Sequence, residues 1–170
     1  MAGKKRTRSK YDKNKYGMLH FAIEFVAGAV IFLLIVSLIL GVAKVDGESM
    51  YPTLKNNQPV AYLRVGKTYD RGDIIAIKMP SGDSYVKRVI GVEGDTIELV
   101  DGAVVLNGSQ LKEDYAQGET LPENARVEYP VTVQAGEVFV LGDNRAVSVD
   151  SRDFGCVIFS NVKGKLLNKK

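Results

Sequence analysis

Cysteine and histidine each occur once in the 170-residue chain, as Cys156 and His20. That scarcity excludes an intrachain disulfide, a zinc site built from several Cys or His ligands and a redox CxxC pair. Without a histidine in its own domain, Cys156 lacks the usual partner of a reactive thiolate and reads as a small core residue. Acidic residues are scarce at the start, where residues 1–16 hold Lys4, Lys5, Arg6, Arg8, Lys10, Lys13 and Lys15 against Asp12 alone. The net charge of +3 therefore resides in this tail, and the slightly acidic remainder argues against nucleic-acid binding. A hydrophobic fraction of 45% argues against disorder, and the length suits one modest core.

Charge is missing altogether from Phe25 to Ala43, nineteen residues that at about 1.5 Å each match a hydrocarbon core of roughly 30 Å. Residues 1–20 are assigned to a basic cytoplasmic tail, 21–43 to a transmembrane helix and 44–170 to an extracytoplasmic domain. The positive-inside rule fixes that orientation, a single-pass protein of the cell membrane, and leaves His20 on the side away from the domain. Gly41-Val42-Ala43 also resembles a signal cleavage site, but the apolar run is longer than the roughly 7–15 residues of a signal. A buried core helix is disfavoured because so small a domain could not surround the run on every face.

Beyond Ala43 the chain is expected to be mainly β and antiparallel. Short β-branched runs, Val60–Val65, Ile74–Met79, Tyr85–Val92, Thr96–Val100, Ala103–Leu106, Val127–Val133, Val138–Leu141 and Val157–Phe159, alternate with turn pairs such as Asp101-Gly102 and Asn107-Gly108. The polar stretch from Asp114 to Arg126 reads as a surface loop. Lys163, Lys165, Lys169 and Lys170 read as a solvated tail.

Three segments place small and polar residues where a plain β-domain has no need of them: Gly47–Leu54, Tyr85–Gly91 and Gly142–Gly155. Each has an ordinary structural explanation: Ser49 as a loop serine, Lys87 as a snorkelling surface lysine, the third segment as a hydrogen-bonded turn. A nucleophilic serine needs a base, and with His20 across the membrane the domain offers a carboxylate, a lysine or a tyrosine. On a strand Lys87 shares a face with Tyr85 and Val89, so a sheet could carry it into an apolar setting. Bringing its pKa from about 10.4 into the neutral range takes roughly 3 units, or about 4 kcal/mol, which desolvation can supply.

Together, the basic tail, the span, SMYPTL, YVKRVIGVEGD and GDNRAVSVDSRDFG resemble the bacterial type I signal peptidases, and do so up to about Gly155. The resemblance implies a β-rich Ser/Lys endopeptidase that cuts signal peptides from exported precursors after a small-x-small motif. It implies Ser49 as nucleophile, Lys87 as general base and Ser148 as the hydrogen-bonding orienter of Lys87. Asp143, Arg88, Asp150 and Arg152 are implied as ion-pair scaffolding, and Met50 as part of the membrane-facing apolar surface. Val45, Met50, Leu54, Tyr85 and Val86 are the candidates for the substrate pockets, because they neighbour Ser49 and Lys87 in sequence. The resemblance implies signal peptides and the lipid bilayer as partners, and no metal or organic cofactor.

One departure concerns the oxyanion hole. Some members carry a serine two residues before the nucleophile, where this chain has Gly47, so the second donor stays open as a backbone or water group. Lysine in place of histidine separates the chain from the endoplasmic-reticulum branch, and the small domain is Gram-positive-like. Self-cleaving repressor-type peptidases also use Ser/Lys, but they carry a DNA-binding domain where this chain has a span. The non-enzymatic alternative is an anchored β-domain that binds exported chains by strand addition, for which Ser49 and Lys87 would be unneeded.

Overall fold

The computed structural model describes residues 10–123 and 126–167, with side chains of the first helix from Gly17 onward. Lys4, Lys5, Arg6, Arg8, Lys169 and Lys170 lie outside the described residues. The chain divides into two compact units, residues 1–39 and 40–170. In the first, helix α1 runs over Lys10–Ile39, and its stretch Gly17–Ile39 is long and apolar enough to cross a membrane.

The expected span continued to Ala43, but Leu40–Lys44 is strand β1, paired antiparallel with β2 (Pro59–Leu63) along its whole length. A charge-free run is as compatible with a strand as with a helix, and here Gly41 is buried while Val42 is exposed, the two-residue period of a strand.

The second unit is built from antiparallel strands in two sheets. β3 (Ile74–Lys78), β4 (Ser84–Gly91), β9 (Glu137–Leu141), β10 (Val157–Ile158) and β11 (Val162–Leu166) join β1 and β2 in the order β1-β2-β11-β3-β4-β9-β10. β5 (Thr96–Val100), β6 (Ala103–Leu106), β7 (Ser109–Gln110) and β8 (Val131–Thr132) form the smaller sheet, ordered β7-β6-β5-β8. Its hairpins follow directly from sequence: Asp101-Gly102 joins β5 to β6 and Asn107-Gly108 joins β6 to β7, all four residues with positive φ.

Alternation distributes the core. Ile74 and Ala76 of β3 pack with Val45, Met50 and Leu54 on one face, while Ile75 and Ile77 pack with Val89, Val138 and Val140 on the other. Phe139 and Leu141 of β9 turn toward Ile90, Ile97 and Val104, tying in the smaller sheet.

Two expectations change and a third holds. The lysine-rich end is not a tail through Leu166: β11 lies between β2 and β3, and Lys165 Nζ is 2.7 Å from the buried Asp73 carboxylate. The expected strand Val127–Val133 shrinks to Val131–Thr132, since Pro130 has no N–H to give to a ladder. The stretch from Asp114 to Arg126 is, over its described residues, the irregular and mostly exposed surface loop expected of it, and it is fastened to the domain at two points. Its Thr120 is buried, and Gln117 makes a parallel bridge to Asn144.

Candidate active site

Ser49 lies half-buried in the turn that follows β1, with its neighbour Met50 in the core. The turn is held from both sides: Tyr51 N–H donates to Glu48 O (3.0 Å), Leu54 N–H to Met50 O (2.8 Å), and Asn144 N–H reaches across to Ser49 O (3.0 Å). Lys87 is opposite Ile75 in the β3–β4 ladder and only 3% exposed, its Nζ 5.4 Å from the centre of the Tyr85 ring. Among the described residues no carboxylate lies within ion-pair distance of it. Burial pushes the ammonium down to about 8, against the opposing pull of Asp150 and Asp143.

Ser49 and Lys87 line two cavities together. One, of about 170 Å³, is walled by Val45, Met50, Tyr62, Ala76, Tyr85 and Val86, and reaches Val42 and Lys44 of β1 and Lys163 of β11. The other lies among Asp46, Gly47, Glu48, Tyr85, Val147 and Val149. Four of the five pocket candidates, Val45, Met50, Tyr85 and Val86, are thus at the cavity. Leu54 is not; it is 2% exposed within the core cluster of Met50 and Val60. Tyr62 and Ala76 are not evident from sequence because the pairing of β2 with β1 and of β3 with β4 brings them in from far along the chain.

Behind Lys87, Arg88 points the other way and forms a two-pronged pair with Asp143, Nε to Oδ1 at 2.8 Å and Nη2 to Oδ2 at 2.6 Å. Its Nη1 donates to Gly72 O at 3.1 Å, and its guanidinium lies 3.9 Å from the centre of the Tyr115 ring. Thr53 Oγ1 donates to Asp143 Oδ2 at 2.5 Å, so one carboxylate fastens the Ser49 turn to β4. Asp143 is fully buried, so Asp143→Ala leaves a charged guanidinium without its counter-ion. The expected cost is about 3–5 kcal/mol, read as a drop in the urea midpoint, and an unchanged midpoint would show that the pair carries no stability.

A second pair closes the other flank. Arg152 Nε donates to Asp150 Oδ1 at 2.9 Å, while Asp150 Oδ2 accepts from Gly142 N–H at 3.0 Å. Asp150 also caps the one-turn helix α2 (Ser151–Phe154) in a reciprocal capping box with Asp153. Arg145, 1% exposed, donates to Gly142 O at 2.9 Å and to Glu113 at 2.6 Å, and it contacts Thr120. Arg145, Glu113, Tyr115 and Thr53 were not singled out from sequence; Thr53 and Arg145 lie inside the quoted motifs, which was the available signal.

One implied contact differs in the structure. Ser148 Oγ is buried and has no hydrogen-bond partner among the described residues, so the implied bond to Lys87 is not formed. The hydroxyl instead packs at Gly142, where an added Cβ would fall 2.1 Å from Ser148 Oγ and 2.5 Å from Ser49 O. Only glycine permits that close approach of the two serine segments. The second oxyanion donor stays open on sequence grounds, and the backbone N–H of Gly47 donates to Asn56 Oδ1 at 3.2 Å.

The family described as signal peptidase, peptidase S26, matches residues 18–168. The chain belongs to that family. It is 36% identical over 158 residues to signal peptidase I S of Bacillus subtilis, covering 86% of this chain and 84% of the relative. It is 32% identical over 169 residues to signal peptidase IB of Staphylococcus aureus, covering 89% and 88%. A signal peptidase I crystal structure from Enterococcus faecalis superposes with a TM-score of 0.50 at 38% identity, over 58% of this chain and 97% of that one. The β-rich fold and the hydrolytic, proteolytic character of this S26 peptidase stand on those relationships together with the strand order. Cleavage of signal peptides is the activity its family supports.

Proposed function

We propose that the chain is a membrane-anchored Ser/Lys endopeptidase that removes signal peptides after a small-x-small motif. The observation that carries the reading is the joint presence of half-buried Ser49 and buried Lys87 in the walls of the same cavities, where burial lowers the lysine pKa to about 8. Neutral Lys87 takes the Ser49 proton as Oγ attacks the carbonyl of the residue before the cut. The same ammonium then protonates the leaving amine, and a water activated by Lys87 releases the acyl group. Ser49 N–H is one donor to the oxyanion. With Gly47 N–H held by Asn56, a substrate-ordered water supplies the second.

Specificity follows from the cavity wall. At about 170 Å³ the cavity, whose apolar wall is formed by Val45, Met50, Ala76 and Val86, is smaller than the ~300–1,000 Å³ of sites for drug-sized ligands, which suits alanine-sized side chains. The helix Gly17–Ile39 anchors the chain in the bilayer that also retains the apolar segment of its substrates, raising their effective concentration. The basic residues before it keep the N-terminus in the cytoplasm and the peptidase unit on the other face.

The test is incubation of the purified, detergent-solubilised protein with a secretory precursor, with the new N-terminus read by mass spectrometry. Cleavage after Ala-x-Ala is expected, and Phe in place of the last Ala should lower kcat/KM by roughly a hundredfold or more through steric overlap. Equal cleavage after Ala and Phe removes the small-pocket model. A stable complex with uncut precursor favours the strand-adding binder instead.

A further inference from the structure

The cavity that takes the residue before the cut has one feature the chemistry leaves unused, a cationic rim. Lys163 of β11 and Lys44 of β1 are both exposed and both line it, with Asp46 the only carboxylate in that lining. Lys163 Nζ donates to the Ser84 hydroxyl at the start of β4, which keeps the ammonium at the mouth instead of swinging free. Ser84, Val86 and Lys163 belong to this cavity and not to its neighbour, where the charged residues beside Lys87 are Asp46 and Glu48. The two sides of Ser49 therefore differ in charge.

We propose that Lys163, assisted by Lys44, reads the charge of the substrate at the fourth or fifth residue before the cut, favouring acidic and disfavouring basic side chains there. The inference rests on the proposed peptidase reading, in which residues before the cut occupy the cavity shared by Ser49 and Lys87. Ser84 lies three residues from Lys87 on β4, about 10 Å at ~3.3 Å per residue. An extended substrate has the same rise, so with the residue before the cut at Lys87, the fourth residue reaches Ser84. A long lysine stem bridges what remains of the distance. A lipid phosphate is the other anion within reach of a membrane-bound enzyme. The substrate is favoured because both ammonium groups line the same cavity as Ser49 and Lys87, which the cleaved chain must enter.

The experiment compares kcat/KM for peptides with Glu, Gln or Lys at the fourth and fifth positions before an Ala-x-Ala cut, in neutral detergent without lipid. The full-length protein is expected to prefer Glu over Lys by about fivefold or more at low ionic strength, falling toward equality in high salt. Lys163→Glu should invert the order and Lys163→Gln should flatten it. Because the readout is a ratio between peptides, a variant of lower overall activity still reports. Salt dependence of the unsubstituted enzyme gives a second measurement that needs no variant. A preference retained unchanged in Lys163→Glu overturns the proposal, as does equal cleavage by the unsubstituted enzyme. A preference that emerges only on adding anionic vesicles assigns the rim to lipid and overturns it too. Failure to cut the neutral Gln peptide at all would instead remove the peptidase reading on which the inference rests.

Discussion

Ser49→Ala is expected to remove turnover, by about 10⁴-fold or more in kcat, while leaving the fold in place. The substitution deletes a single oxygen and keeps every backbone bond of the turn, including Asn144 N–H to Ser49 O and Leu54 N–H to Met50 O. Stability should therefore change by no more than about 0.5 kcal/mol. The two measurements separate chemistry from structure: precursor cleavage should vanish while the thermal midpoint and circular dichroism stay put. Cleavage surviving in purified Ser49→Ala would point to another hydroxyl of the cavity. Ser84 is the first to test, since it and Ser49 are the two serines in that lining.

Much of this was legible in the chain, and the parts that were not share a cause. β5 and β6 appear at the bounds expected for them, because Asp101-Gly102 selects a two-residue hairpin and the flanking residues alternate. Local chemistry decides such elements, so local sequence reveals them. β1 was read into the span because apolar residues satisfy a bilayer and a sheet equally. β11 reads as a tail because exposed Lys163 and half-buried Lys165 alternate with buried Gly164 and Leu166 in too short a run to mark a strand. Which reading wins depends on partners elsewhere in the chain.

The site divides along the same line. Ser49 and Lys87 could be named because nucleophile and base are restricted to few residue types once His20 is set aside. Their common cavity could not, since it requires β4 to pair with β3 and the Ser49 turn to be fastened by Asp143 and Asn144. Likewise Tyr115 falls in the stretch read as a loop and Glu113 just before it, and their roles exist only through contacts with Arg88 and Arg145.

Lys87→Arg is expected to be as inactive as Lys87→Ala, although it keeps the positive charge. A guanidinium stays protonated at every working pH and cannot accept the serine proton, so a role in holding charge and a role as base give opposite outcomes. In the unsubstituted enzyme kcat/KM should climb with pH and level off above about 8, as the ammonium loses its proton. The same shift has a signed effect on stability. The lysine pKa is lowered on folding from 10.5 to about 8, so between those values the unfolded chain binds more protons than the folded one. The native state therefore gains stability as pH rises through that window, and below about pH 8 it bears the full cost of a buried ammonium. Lys87→Met removes the ammonium while nearly conserving length, and should raise the thermal midpoint at pH 7 while abolishing cleavage. A rise in stability alongside complete inactivity excludes unfolding as the reason for the lost activity. Substantial turnover by Lys87→Arg, or a flat pH profile from 6 to 9, would take the base role away from Lys87.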